Sequence, residues 1–273
     1  MNSSVTLAIS DKIKSGPWIF WNDMERNINK AKELGFDGVE LFSTNRDDNF
    51  KKQVSHALEK SNIKLSAVGT GAGKALMKLT LTDEDSNIRN QAINFIKEII
   101  SFGAEFNAPA IIGSMQGFIG KQNRQTAIHW LSEALKELGD YAENLNVPLI
   151  YEPLNRYETD IFNTIETTVD FLEINKLDNV QILADLFHMN IEETSIPLAF
   201  NEHGHRIGHI HFADSNRRPV GFGHTNYNEI ALAIKNSSFN GYISAEAFPY
   251  PDSDMAAQKT IEAFKHYFFV KHE

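Results

Sequence analysis

Along the chain, short apolar runs rich in valine and isoleucine alternate with longer stretches in which apolar residues recur every three or four positions. The short runs fall near residues 5–9, 38–42, 65–69, 109–113, 148–152, 180–185, 208–212 and 242–246, and each reads as a strand. Between them the spacing predicts helices. Ala127, Trp130, Leu131, Ala134, Leu135, Leu138, Tyr141 and Ala142 form one apolar stripe. Ile93, Ile96, Ile99 and Ile100 form another, and Ile28, Ala31 and Leu34 a third, with Gly35 placed for a left-handed helix C-terminus.

Eight strands with helical crossovers in 273 residues have the size and rhythm of a (β/α)8 TIM barrel. Strands that are apolar nearly throughout suit a parallel sheet buried on both faces. A doubly wound open sheet is the alternative, but no G-x-G-x-x-G follows the first strand. That strand runs instead into Ser10-Asp11-Lys12 and an aromatic stretch from Trp18 to Trp21. The segment from Met255 carries Ile261, Phe264 and Phe268, with Tyr267, Phe269 and Val270 on other faces, so more than the barrel wall is expected to cover it. No low-complexity linker divides the chain, and one domain over 1–273 is expected.

Composition narrows the chemistry. The balance of 42% hydrophobic and 23% charged residues is globular. There is no cysteine, which excludes a disulfide framework, a thiolate nucleophile, thiolate zinc and iron–sulfur clusters. A net charge of −10 disfavours a nucleic-acid partner, which needs a basic footprint. No signal-like leader and no apolar run of about 18 residues is seen, so no membrane partner and a cytoplasmic location are expected. The loop Gly69-Thr70-Gly71-Ala72-Gly73-Lys74 lacks the first glycine and the hydroxyl residue of a Walker A motif. It reads as a place where backbone approaches the barrel mouth. No G-x-S-x-G elbow supports a serine hydrolase.

The candidate chemistry lies at strand ends, where a barrel places its active site. The last four predicted strands end at Glu152, Asp185, His211 and Glu246. Three carboxylates converging there would repel one another and be driven to protonate unless a cation sits among them. Three oxygen ligands and one imidazole, without sulfur, suit Mn2+, Mg2+ or Co2+ better than structural zinc. A single strand-end carboxylate reads equally as a helix N-cap, and a single histidine as a hydrogen-bonded core residue. His209 shares a strand face with His211; it is either a second ligand or, as we expect, a hydrogen-bonded residue in the layer below. Glu158, His188 and Arg217 follow in loops that would line a polar, hydroxyl-binding pocket, with Phe248 as an apolar wall.

Glu152-Pro-Leu-Asn-Arg-Tyr-Glu158, Ala184-Asp-Leu-Phe-His-Met189, His209-Ile-His-Phe-Ala-Asp-Ser-Asn-Arg217, Gly223-His-Thr-Asn-Tyr227 and Ser244-Ala-Glu246 resemble the xylose-isomerase-like sugar isomerase and epimerase barrels. The nearest likeness is to the D-tagatose/D-psicose 3-epimerase branch. The resemblance spans the chain and implies one divalent ion, usually Mn2+, held by Glu152, Asp185, His211 and Glu246. It also implies Glu152 and Glu246 as the acid/base pair, Glu158, His188 and Arg217 on substrate oxygens, a small-molecule sugar substrate, and a homodimer or homotetramer. Two segments depart from that branch: Asp214-Ser215-Asn216 before the arginine, and Gly113-Ser114-Met115-Gln116 where an aromatic wall is usual. The expected activity is C3 epimerisation of a ketose or keto-sugar through an enediolate. An aldose–ketose isomerase, a keto-sugar or keto-inositol dehydratase, a metal-dependent endonuclease and a non-catalytic sugar-binding barrel are the alternatives.

Overall fold

Apolar strands with no polar face can be buried only if both sides of their sheet are covered, and closing the sheet inside a ring of helices achieves this. The computed structural model describes residues 1–269 and has this arrangement; Val270 lies outside the described residues. The strands are β1 (Asn2–Ile9), β2 (Phe20–Trp21), β3 (Gly38–Ser43), β4 (Lys64–Gly69), β5 (Ala110–Ile112), β6 (Leu149–Tyr151), β7 (Val180–Asp185), β8 (Ile207–His211) and β9 (Tyr242–Ala245). All pair in parallel, and β1, flanked by β3 and β9, closes an eight-stranded barrel. The extra strand β2 lies on the C-terminal end of β1, pairing Leu7 with Phe20 and Ala8 with Trp21. The aromatic stretch after β1 thus contains a strand that its pattern did not suggest, because two residues are too few to show a period.

The helices bury most of the stripes that predicted them, with Trp130, Tyr141, Ile93 and Leu34 left half-buried at the margins. Arg124–Asn144 turns Ala127, Leu131, Ala134, Leu135, Leu138 and Ala142 inward, and its N-cap Asn123 accepts the amides of Gln125 and Thr126. Met24–Leu34 ends at Gly35 with φ 93°, as its position predicted. Ser253–Phe268 buries Ile261, Phe264 and Phe268, but Phe269 stays 63% exposed, so the expected extra cover does not reach it. No helix among the described residues is long and apolar enough to cross a membrane.

Strand boundaries need one correction. β6 and β9 stop at Tyr151 and Ala245, so Glu152 and Glu246 stand just past their strands, while Asp185 and His211 are the last residues of theirs. The ladder fades at the mouth, where the chain turns into loops. Glu152 still donates its amide to Ile112 O at 3.0 Å, which keeps it in register with β5.

Candidate functional site

β6 to β9 are consecutive around the barrel, and their C-terminal ends bring together four side chains far apart in sequence. Glu152, Asp185, His211 and Glu246 each offer one ligand atom, and these atoms lie within 4.8 Å of one another. His211 Nδ1 stands 3.6 Å from Glu152 Oε1, 3.5 Å from Asp185 Oδ2 and 3.5 Å from Glu246 Oε2. Asp185 satisfies both readings of a strand-end carboxylate. Its Oδ1 caps the following helix, accepting the Phe187 amide at 2.8 Å, and its Oδ2 points into the cluster.

Buried polar atoms are normally paired. Here Glu152 Oε1, Asp185 Oδ2, His211 Nδ1 and His188 Nε2 are all buried without a hydrogen-bond partner, and all face one point. Three of these are atoms of the four-residue cluster. A divalent cation among hard oxygens and one imidazole would satisfy them together, so the residues present fit such an ion. The electrostatics carry the same message. Burial opposes a charge on His211, yet Glu40, Glu246, Asp185 and Glu152 outweigh it and raise its pKa well above the usual histidine value. Burial, with Glu152 and Asp185 nearby, pushes the Glu246 carboxyl up to about 7 although His211 and Arg217 oppose the rise. Asp185 is held well below the carboxylate range because His188, His211 and Arg217 overcome its burial. The cluster draws positive charge to itself.

The neighbouring loops supply donors. Asn155 gives both its amide, at 3.3 Å, and its side-chain Nδ2, at 2.6 Å, to His188 Nδ1. An Nδ1 that accepts leaves the proton on Nε2, which faces Asp185 Oδ2 at 3.5 Å and Glu152 Oε1 at 3.8 Å. Arg217 donates to Glu246 Oε2 at 2.6 Å and to Glu158 Oε1 at 3.4 Å. These carboxylates, with Asp185, hold its guanidinium charged against burial.

The cluster floors a cavity of about 180 Å3, below the 300–1,000 Å3 of drug-sized sites and so suited to a small polar ligand. Glu152, Glu158, His188, His211, Arg217 and Glu246 line one side. Trp18 and Phe42, stacked at 4.2 Å, and the backbone of Gly69, Thr70 and Gly71 line the other. The glycine loop does approach the mouth. Phe248 does not line the cavity: it is 45% exposed, and its link to the site is a hydrogen bond from its backbone N–H to Arg217 O at 2.8 Å. The apolar wall instead comes from Trp18 and Phe42. His209 lies in the layer below, with Nε2 2.8 Å from Glu40 Oε2. Glu40 escaped the sequence reading, although a lone charge inside the apolar run Gly38–Phe42 was the available signal.

Residues 28–267 match the model of the xylose isomerase-like TIM barrel family. Over 233 residues the chain is 30% identical to the D-psicose 3-epimerase of Enterocloster bolteae, covering 83% of this chain and 77% of that protein. It is 28% identical over 226 residues to the D-psicose 3-epimerase of Agrobacterium fabrum, covering 81% and 78%. The crystal structure of D-psicose 3-epimerase with D-tagatose from Clostridium cellulolyticum H10 matches with a TM-score of 0.81 at 22% identity, covering 98% of each chain, a likeness of fold.

Proposed function

The chain belongs to the xylose isomerase-like TIM barrel family, and from that premise we propose that it is a divalent-metal-dependent epimerase inverting C3 of a ketose or keto-sugar. The observation that carries this reading is the convergence of buried, unpartnered Glu152 Oε1, Asp185 Oδ2 and His211 Nδ1 beside Glu246. These four residues would hold the ion, with Mn2+ favoured. The ion would supply Lewis acidity, which makes the hydrogen next to the keto group easier to remove. The names of the D-psicose 3-epimerase relatives support the substrate class.

The chain's own residues account for the inversion. Returning a proton to the face opposite its removal needs a group on each side of the reacting carbon. Glu152 and Glu246 follow β6 and β9, with β7 and β8 between them, so they can flank a ligand lying across the mouth. His188 Nε2–H and the Arg217 guanidinium would hold substrate oxygens, and Glu158 would accept a substrate hydroxyl. Trp18 and Phe42 would cover the apolar face of the sugar.

The test is a panel of keto-sugars turned over in heavy water with added Mn2+. One solvent deuterium should enter at C3, with no loss of water. Glu152→Gln and Glu246→Gln should each lower turnover by about 10²–10⁴-fold. Label confined to C1 of an aldose–ketose pair would mean an isomerase, and a product lighter by one water a dehydratase. Full activity after exhaustive chelation would overturn the metal reading.

A further inference from the structure

β3 runs Gly38-Val-Glu-Leu-Phe-Ser43, and Glu40 is its one charged residue, only 5% exposed. A carboxylate so buried must find donors. Glu40 finds two, both on β8: His209 Nε2 lies 2.8 Å from Oε2, and His211 Nε2 lies 3.1 Å from Oε1 and 3.3 Å from Oε2. β3 pairs with β1 and β4, and β8 with β7 and β9, so this contact crosses the barrel interior instead of following the sheet. The histidines alternate along β8 onto the same inner face, with ring centres 5.6 Å apart.

We infer that Glu40 is a positioning residue for the proposed metal centre: it sets the tautomer and ring orientation of His211, and His209 holds Glu40 in place to do so. An ionised carboxylate only accepts, so both imidazoles must present Nε2–H to it. With Nε2 keeping its proton for Glu40, Nδ1 is the ring nitrogen left to exchange a proton for a cation, and Nδ1 is the buried, unpartnered atom facing Glu152, Asp185 and Glu246. One ring nitrogen on a carboxylate and the other toward the ligand cluster is the arrangement that orients metal-binding histidines. The bond from His209 stops the carboxylate turning into the cavity, which Glu40 also lines. The arrangement has a topological consequence. The four ligand-bearing positions lie at or just past the C-terminal ends of β6–β9, and Glu40 is the only ionisable cavity-lining residue from the first half of the chain, all of it described. Closure of the barrel is therefore what orients the histidine.

The inference rests on the metal reading of the four-residue cluster, and the test separates the two. Metal-free wild type, Glu40→Gln and His209→Gln are titrated with Mn2+, with free ion followed by electron paramagnetic resonance. Glutamine matches glutamate in shape but offers one acceptor oxygen to two N–H groups. Glu40→Gln should raise the Kd for Mn2+ about 10–100-fold, and His209→Gln by less, with unchanged far-UV circular dichroism. Histidine-selective 15N correlation spectra of the Mg2+-loaded wild type should show His211 protonated at Nε2, a signature that a merely structural role would not require. Tight Mn2+ binding by both variants overturns the inference while the metal reading stands, whereas a proton on Nδ1 of His211 in the ion-loaded protein overturns the inference and His211 as a ligand together. Absence of Mn2+ binding by the wild type overturns both. Should Glu40→Gln fail to fold, His209→Gln and the tautomer measurement decide the matter.

Discussion

At Gly113 the absence of a side chain shapes the carboxylate next to it. An added Cβ would stand 2.3 Å from Glu152 Oε2, a distance no real contact tolerates. Glu152 is itself buried, so its carboxylate would have to leave the position from which Oε1 faces His211. Gly113→Ala should therefore lower kcat/KM by about 10²-fold, the scale of a 1 Å misplacement of a reacting group. Thermal unfolding should shift far less than activity does. Steady-state kinetics beside a melting curve check this, and wild-type kinetics would show that Glu152 has room to spare. The segment that departs from the aromatic wall of the 3-epimerase branch thus has a local use: small residues here leave space for a glutamate.

At the scale of an element, the loop from Asp214 to Thr225 is organised by one buried carboxylate. Asp214 accepts the amides of Ser215 at 2.8 Å, Gly221 at 2.8 Å and Thr225 at 3.1 Å. Gly223 packs so closely that a Cβ would meet Asp214 Oδ1 at 2.2 Å. The loop presents Arg217 with φ 57°, and its guanidinium reaches Glu246. Burial alone would raise the Asp214 pKa, but the backbone amides outweigh it and lower the value. A folded-state pKa below the unfolded one, about 3.9, gives stability that is present above that pH and lost as pH falls through the folded value. Asp214→Ala should cost about 2–3 kcal/mol at pH 7, since buried amides lose their acceptor. Urea unfolding of both proteins from pH 7 to pH 3 should show the gap narrowing below about pH 4. A gap that is constant with pH would mean that the carboxylate's charge plays no part.

For the molecule as a whole, the cluster of three carboxylates is a local repulsion that folding must accommodate. The native state partly answers it with the charges on Arg217 and His211. A cation that binds only the folded barrel adds stability by mass action, about 2.7 kcal/mol at a free concentration a hundred times its Kd. For a chain of this length that is a rise of roughly 5–10 °C in Tm. Differential scanning calorimetry with Mn2+ and with chelator should show it in the wild type, and Asp185→Asn should lose most of it. An equal rise in Asp185→Asn would place the ion elsewhere.

The alternation of apolar runs and helical stripes determined the barrel, because burial on both faces leaves each strand a recognisable apolar signature. The same signature made Glu152, Asp185, His211 and Glu246 legible: an ionisable residue closing an apolar run stands out wherever the chain places it. That doubly buried character also hid the rest. Strands without a polar face do not say which side chains point into the barrel, and residues 169 and 171 apart, as Glu40 is from His209 and His211, leave no spacing to read. The tertiary structure alone decided that Trp18 and Phe42 form the apolar wall while Phe248 stays outside, and that Gly113 makes room for Glu152. Each depends on which elements face one another across a closed sheet, and closure is a property of all the strands at once.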